Sequence, residues 1–168
     1  MDVAFPAAVP GLRSDQPWFS LPIRSWLVGG GIEVRAISAC TAPSCEAQSA
    51  VAVFAAQGRD GAELARILDD PARLARQLLA DPSPMSPRGR ERGAGKPLRS
   101  RGTATVEPRR EGALSGFSIR LARTDGSHPA FGYVLAARRP TMIALVLVVS
   151  TSEDTARRVA LDVAPHLG

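Results

Sequence analysis

The two cysteines are the residues of this chain whose spacing most directly suggests chemistry. Cys40 and Cys45 enclose four residues, one of which is Pro43. A loop of that size between two strands brings the two sulfurs close together, so the spacing favours a disulfide. Two alternatives remain open. One is a pair of free structural thiols, and the other is metal or redox chemistry, which usually shows Cys-x-x-Cys at the start of a helix.

Neither histidine completes a metal site or supplies a clear general base. His128 follows the turn signal Asp125-Gly126, and His166 lies far along the chain from both cysteines. No serine stands in the Gly-x-Ser-x-Gly elbow of hydrolases. The sequence therefore predicts no catalytic residue, no metal, no cofactor and no small-molecule ligand, and it favours a protein that is not an enzyme.

An arginine-rich segment, residues 81–102, is the best candidate for a binding surface. Its six basic side chains, which form the candidate partner-binding set, are Arg88, Arg90, Arg92, Lys96, Arg99 and Arg101. The segment is not a phosphate loop, because its glycines have the wrong offset and Pro97 replaces the Ser or Thr that would reach magnesium. With many prolines and few apolar residues it cannot offset its ordering entropy, so we expect a flexible insertion.

The chemistry of arginine indicates which partners this segment would suit. The planar guanidinium binds carboxylates and phosphates through a fork of donors, so an acidic protein or an anionic surface fits best. Nucleic acid fits less well, because the segment has no aromatic side chain on which a base could stack. The formal net charge of the chain is +5. A solvated basic loop without any partner is the remaining alternative.

Length and composition limit the classes of protein to which this chain can belong. The chain has 168 residues, 45% of them hydrophobic and 5% aromatic. These values favour one folded domain, residues 23–168, with a core of Val, Leu, Ile and Ala. No apolar run is long enough to span a bilayer. We expect a periplasmic or otherwise exported protein if a leader has been removed or missed, and a cytoplasmic one otherwise.

The pattern in the first half of the chain predicts an N-terminal arm, then strands, then a pair of helices. Prolines are dense in residues 1–22, which predicts an extended N-terminal arm that packs through Trp18 and Phe19. Alternating apolar residues predict a β region over residues 23–39, and residues 49–56 read as a mostly buried strand. Residues 61–80 have helical periodicity, but Pro71 predicts a break at Asp69–Asp70, with Asp70 capping a second helix.

The second half returns to strands and closes with a helix. Four strands are predicted, at residues 103–106, 116–122, 131–137 and 142–150. The last of these carries no charge, which places it near the centre of the sheet. Ser152 then caps a final helix, whose last turn Pro165 should loosen. The predicted class is α+β: an antiparallel sheet with helices packed on one face and the insertion between the two halves.

This order of elements resembles the Mog1/PsbP-like group of α+β domains. The resemblance covers roughly Ile23 to Leu167 and depends on strand order and on the closing helix capped by Ser152. It implies a non-enzymatic binding, accessory or assembly protein, since most members of that group act in this way and several are exported. Neither the cysteine loop nor the arginine-rich segment maps onto the group.

Overall fold

The structure is a computed structural model, and it describes residues 9–21, 32–70, 72–73, 102–123 and 129–167. Several predictions fall outside these residues. They concern the first part of the β region, the helix expected after Pro71, the turn at Asp125-Gly126 with His128, and the basic segment up to Arg101.

The described residues form seven strands and two helices. In chain order they are β1 Phe19–Ser20, β2 Ile32–Cys40, β3 Ser49–Gln57, α1 Gly58–Asp69, β4 Gly102–Glu111, β5 Leu114–Arg123, β6 Ala130–Arg138, β7 Met142–Ser150 and α2 Glu153–Val163, followed by a 3₁₀ turn at Ala164–His166. The strands make one sheet in the order β1-β2-β3-β7-β6-β5-β4, and every neighbouring pair is antiparallel. The predicted α+β class is therefore confirmed.

Strand β7 joins the two halves of the sheet. It pairs on one side with β6, its neighbour in sequence, and on the other with β3, from Ser49 opposite Ser150 to Gln57 opposite Met142. The chain thus contains two meanders, β1 to β3 and β4 to β7, that meet at this single ladder. The central position predicted for the charge-free strand is confirmed.

The two helices lie on opposite faces of the sheet, so the prediction that they share one face is wrong. Val146 and Val148 of β7 are buried in a cluster with α2, on what we term the first face. Ile143 and Leu145 point the other way and are buried in a second cluster with Leu68 of α1, on the second face. The reason lies in β7 itself, because a strand that is apolar on both sides requires a cover on both.

Helix boundaries follow the predicted caps. The Ser152 hydroxyl accepts a hydrogen bond from the Thr155 N–H at 3.3 Å, which satisfies a free donor in the first turn of α2. Helix α1 ends at Asp69, and the Asp70 carboxylate accepts the Arg73 N–H at 3.1 Å. The break predicted at this point and the capping role of Asp70 are confirmed.

The outer strands differ from the prediction. The expected arm contributes β1, since Phe19 and Ser20 pair with β2. Strand β4 runs over ten residues rather than four and contains Pro108. A proline is tolerated there because β4 is the outermost strand, where a missing N–H on the open side needs no partner.

Replacing a leucine at the centre of the sheet should cost far more stability than replacing one at its periphery. Leu135 is 0% exposed and Leu121 is 38% exposed. We expect Leu135→Ala to lower the free energy of unfolding by about 2–5 kcal/mol, because it leaves a cavity in the core. The matched change Leu121→Ala should cost less than about 1 kcal/mol. Urea denaturation measures both, and equal losses would contradict the assigned core.

Candidate functional site

The structure contains the predicted disulfide between Cys40 and Cys45, whose Cα atoms are 6.0 Å apart. Cys40 is the last residue of β2 and is buried, whereas Cys45 lies half-buried in the loop that leads to β3. The Cys45 N–H donates to the Ala42 carbonyl at 3.0 Å, so the loop turns tightly between the cysteines. The six basic residues predicted to bind a partner lie outside the described residues.

A chain of polar contacts starts at the residue after Cys45. The Glu46 N–H donates to the Gln16 side-chain oxygen at 2.7 Å, and the Glu46 carboxylate accepts a hydrogen bond from Arg158 of α2. Arg158 also reaches Asp162 at 3.5 Å, and Asp162 in turn accepts the Arg13 Nε–H at 3.0 Å. We call these five residues the clamp. They connect the disulfide loop, α2 and the N-terminal segment.

The clamp holds residues 9–18 against the first face. Val9 is 2% exposed, and its N–H donates to the Ser38 hydroxyl at 3.2 Å. Leu12 and Trp18 pack partly buried against the core under α2. Gly11 adopts φ +95°, and a side chain there would overlap the carbonyl oxygen of Asp162. The segment therefore lies too close to α2 for any residue but glycine at this position.

The surface depression beside the clamp is too small to act as a substrate pocket. Its enclosed volume is about 10 Å³, and the clamp residues, Trp18 and Cys40 contribute to its walls. Ligand pockets are usually ~300–1,000 Å³ and more enclosed. Within the described ranges, no three His, Cys, Asp or Glu side chains are grouped so that they could hold a metal ion.

A second polar cluster connects the edge strand β4 to α2. Glu111 accepts hydrogen bonds from the Tyr133 hydroxyl at 3.0 Å and from the Arg157 Nε–H at 3.1 Å. The Tyr133 hydrogen bond is the main cause that holds the pKa of Glu111 below its usual value. Burial, followed by the neighbouring carboxylate, raises the pKa of Tyr133. The phenol therefore stays protonated at neutral pH, and the cluster ties α2 to β4.

An apolar row crosses the second face toward the end that α1 leaves uncovered, although its members Val106 and Ile119 still pack against the α1 cluster. It takes one residue from each strand, and its members, in sheet order, are Phe19, Ala39, Ala50, Val149, Gly132, Ile119 and Val106. We call this row the apolar band. Phe19 and Val149 are each 45% exposed, and Leu121, in the next row, is 38% exposed. Within the part of the chain that the structure describes, α1 is the only element packed on this face, and it lies toward the opposite end.

No protein family, curated protein or solved structure matches the chain. No helix among the described residues is long and apolar enough to cross a bilayer. The clamp and the band were both missed by the sequence analysis. Each depends on residues more than a hundred positions apart, such as Glu46 with Arg158, and no local pattern indicates that they meet.

The Tyr133–Glu111 hydrogen bond should make part of the stability depend on pH. A carboxyl whose folded-state pKa is lowered stabilises the fold above its unfolded pKa, and that contribution is lost as the pH falls through the folded value. We therefore expect Tyr133→Phe to lower the melting temperature by a few degrees at pH 7. The difference from the wild type should shrink below pH 4.5, the ordinary pKa of the group.

Thermal melts between pH 7 and pH 2 test this expectation. Glu111→Gln is the control, because it removes the ionisable partner while keeping an acceptor for the tyrosine hydroxyl. In that background Tyr133→Phe should have an effect that does not change with pH over this range. A wild-type difference that stays constant down to pH 2 would contradict the role assigned to Glu111.

Proposed function

We propose that this protein is a non-enzymatic binding or accessory module of the bacterial cell envelope, and that it binds a protein partner through the apolar band. One observation carries the proposal: seven apolar residues, one from each strand, follow one another across the second face without a charged or polar side chain. Phe19, Ala50 and Val149 of this row are exposed, Gly132, Ile119 and Val106 are half-buried, and Ala39 is buried. Single exposed apolar residues are ordinary, but an apolar row that is exposed over part of its length is typical of an interaction surface.

The dimensions of the band fit an amphipathic helix of the partner. Six strand spacings of ~4.8 Å give a width of ~29 Å, which a helix of about 19 residues would cross. Helix α1 shows that the same face accepts a helix, since Leu64, Ala65 and Leu68 pack on its other end. The partner helix would present an aliphatic stripe to Phe19 and Val149.

Charge on β4 and in the segment before it favours acidic residues on the partner. Arg110, exposed on β4, lies on the second face opposite Ser115, four residues along the strand from Val106 and toward the end that α1 covers. The basic segment 88–101 immediately precedes β4, the strand that carries the Val106 end of the band. Carboxylates beside the aliphatic stripe would therefore meet arginines, which speeds association and fixes orientation more than it adds affinity.

The disulfide supports an oxidising compartment for this function. Disulfides form and persist in exported proteins and are rare in the cytosol of ordinary cells. In this fold the disulfide also holds Glu46, through which the clamp connects three parts of the structure. We therefore place the module in the periplasm or an equivalent compartment as part of the proposal.

Adding a charge to the band should leave the fold intact while it removes the binding surface. Val149→Arg should change the free energy of unfolding by only about 0.5 kcal/mol, because Val149 is half exposed. It should also lower the fluorescence of the apolar dye bis-ANS bound to the protein. The control Thr151→Arg adds the same charge just beyond β7, outside the band, and should leave the dye signal unchanged.

A model helix then tests the kind of partner. The probe is a synthetic Leu/Glu amphipathic helix of about 19 residues, and fluorescence anisotropy measures its affinity. Val149→Arg should weaken binding about tenfold or more, a loss of about 1.4 kcal/mol, while Thr151→Arg should not. If Val149→Arg instead unfolds the protein, the site is already covered by the chain itself. If it abolishes a dimer, the occupant is a second copy, and either result overturns the proposal.

The competing function is a cytoplasmic nucleic-acid-associated protein that uses the basic segment 88–101. It predicts reduced cysteines and an affinity for DNA or RNA that falls steeply with salt, because bound cations are released from the phosphates. Filter binding at two salt concentrations, together with a thiol titration under denaturing conditions, separates the two functions. We expect no retention even at low salt and no free thiol. Strong retention with two free thiols would replace our proposal with this one.

A further inference from the structure

The N-terminal segment 9–18 is held by the burial of Val9, Leu12 and Trp18 and by a few polar contacts, and one of these polar contacts depends on the disulfide. Gln16 binds the backbone N–H of Glu46, the residue next to Cys45. Arg13 binds Asp162, which shares Arg158 with the Glu46 carboxylate. Two routes therefore lead from the segment to Glu46, one direct and one through α2.

Besides the disulfide, only hydrogen bonds hold the loop that carries Glu46. Residues 41–48 connect β2 to β3, which pair at Cys40 and Ser49. Within the loop the Cys45 N–H donates to the Ala42 carbonyl, and the Ala47 and Gln48 carbonyls accept from the Ser49 hydroxyl and the Thr151 N–H. In the Glu46–Arg158 pair the Glu46 side chain is 54% exposed, whereas the Arg158 side chain is half-buried. Exposed ion pairs contribute little unless their partners are already positioned, so the clamp depends on the cross-link that positions Glu46.

We propose that the Cys40–Cys45 disulfide is a redox-sensitive latch, whose reduction releases segment 9–18 from the first face while the sheet stays folded. This inference goes beyond the proposed function and does not depend on the apolar band. The β3–β7 ladder begins at Ser49, and neither core cluster includes a residue of the loop 41–48, so we expect the sheet to stay folded in the reduced protein. Of the first cluster, only Val9 belongs to the segment that is released.

The unequal burial of the two cysteines determines which sulfur a reductant attacks first. A thiolate of a dithiol reductant attacks the Cys45 sulfur, because Cys40 is 1% exposed and Cys45 is half-buried. The sulfur–sulfur bond breaks, and Cys40 leaves with its electron pair and takes up a proton. The second thiol of the reductant then displaces Cys45 and closes its own disulfide. Two electrons and two protons have passed to the protein.

Release of the segment would expose a surface that the oxidised protein hides. Val9 is buried against Ser38, and Leu12 and Trp18 pack on the core beside α2. With the segment detached, the seam between α2 and β2 opens to solvent. A partner that recognises this seam would bind the reduced form and not the oxidised form.

Hydrogen exchange of the full chain with and without dithiothreitol tests the latch. After reduction, we expect amide exchange in peptides covering residues 9–18 and 41–48 to rise about tenfold or more, because one hydrogen bond and one ion pair no longer oppose local opening. Exchange in β3 and β7 should not change. A thiol titration on the same samples should find two thiols, in proportion to the release.

Two variants keep the test decisive if chemical reduction is slow. Cys45→Ser removes the cross-link and should give the exchange pattern of the reduced protein. Glu46→Ala retains the disulfide but removes the carboxylate that binds Arg158, so it should loosen residues 9–18 partially. Val149→Arg, which tests the proposed function, should leave the exchange of this segment unchanged, so that the two ideas can fail separately.

Three results would overturn the latch. Unchanged exchange at residues 9–18 in fully reduced protein would show that the clamp holds without the disulfide. Loss of protection throughout β3 and β7 would make the disulfide a support of the whole fold. Resistance of the folded protein to dithiothreitol would make it a permanent cross-link rather than a switch.

Discussion

The nine-residue ladder between β3 and β7 is the interaction on which the rest of the structure depends. It joins residues 49–57 to residues 142–150, and both core clusters extend across it. Neither meander has a complete core without the other, because Val51 and Val53 need Val146 and Val148 beside them. A folded protein therefore requires the C-terminal strand to find the N-terminal hairpin, a contact of high sequence separation that makes folding slow.

Two consecutive arginines fix α2 over this ladder in opposite directions. Arg157 reaches Glu111 at the end of the edge strand β4, and Arg158 reaches Glu46 beside the disulfide. The two residues lie about 100° apart around the helix, so their side chains leave α2 toward different parts of the sheet. Helix α2 is thereby tied to the first face at two places, through Glu111 and Tyr133 on one side and through the clamp on the other. On the second face a single ion pair, from Arg138 of β6 to Asp69 of α1 at 2.6 Å, ties the helix to the sheet at the end opposite the band.

The sequence predicted the elements of this fold better than their arrangement. Strand period, the charge-free run of β7 and the Ser152 cap are local signals, and the structure agrees with each of them. The placement of α1 and α2 on opposite faces was predicted wrongly. Strand β7 has apolar side chains on both of its faces, so the sequence already required a cover on each face. It did not indicate which helix would cover which face. The band depends on register: Phe19 and Val149 become parts of one surface only once β1, β2, β3 and β7 are paired.

Pro108 has a consequence for how this protein can meet others. Outer strands with free amides act as templates on which foreign strands assemble, the first step toward fibrils and toward capture by strand addition. In β4 the ring of Pro108 removes one amide, and Arg109 and Arg110 follow it with charge, while the opposite outer strand β1 has only two residues. The addition of a further strand at the β4 edge of the sheet is thus disfavoured. A partner that binds without extending the sheet recognises side chains, so its selectivity would come from shape and charge rather than from backbone hydrogen bonding.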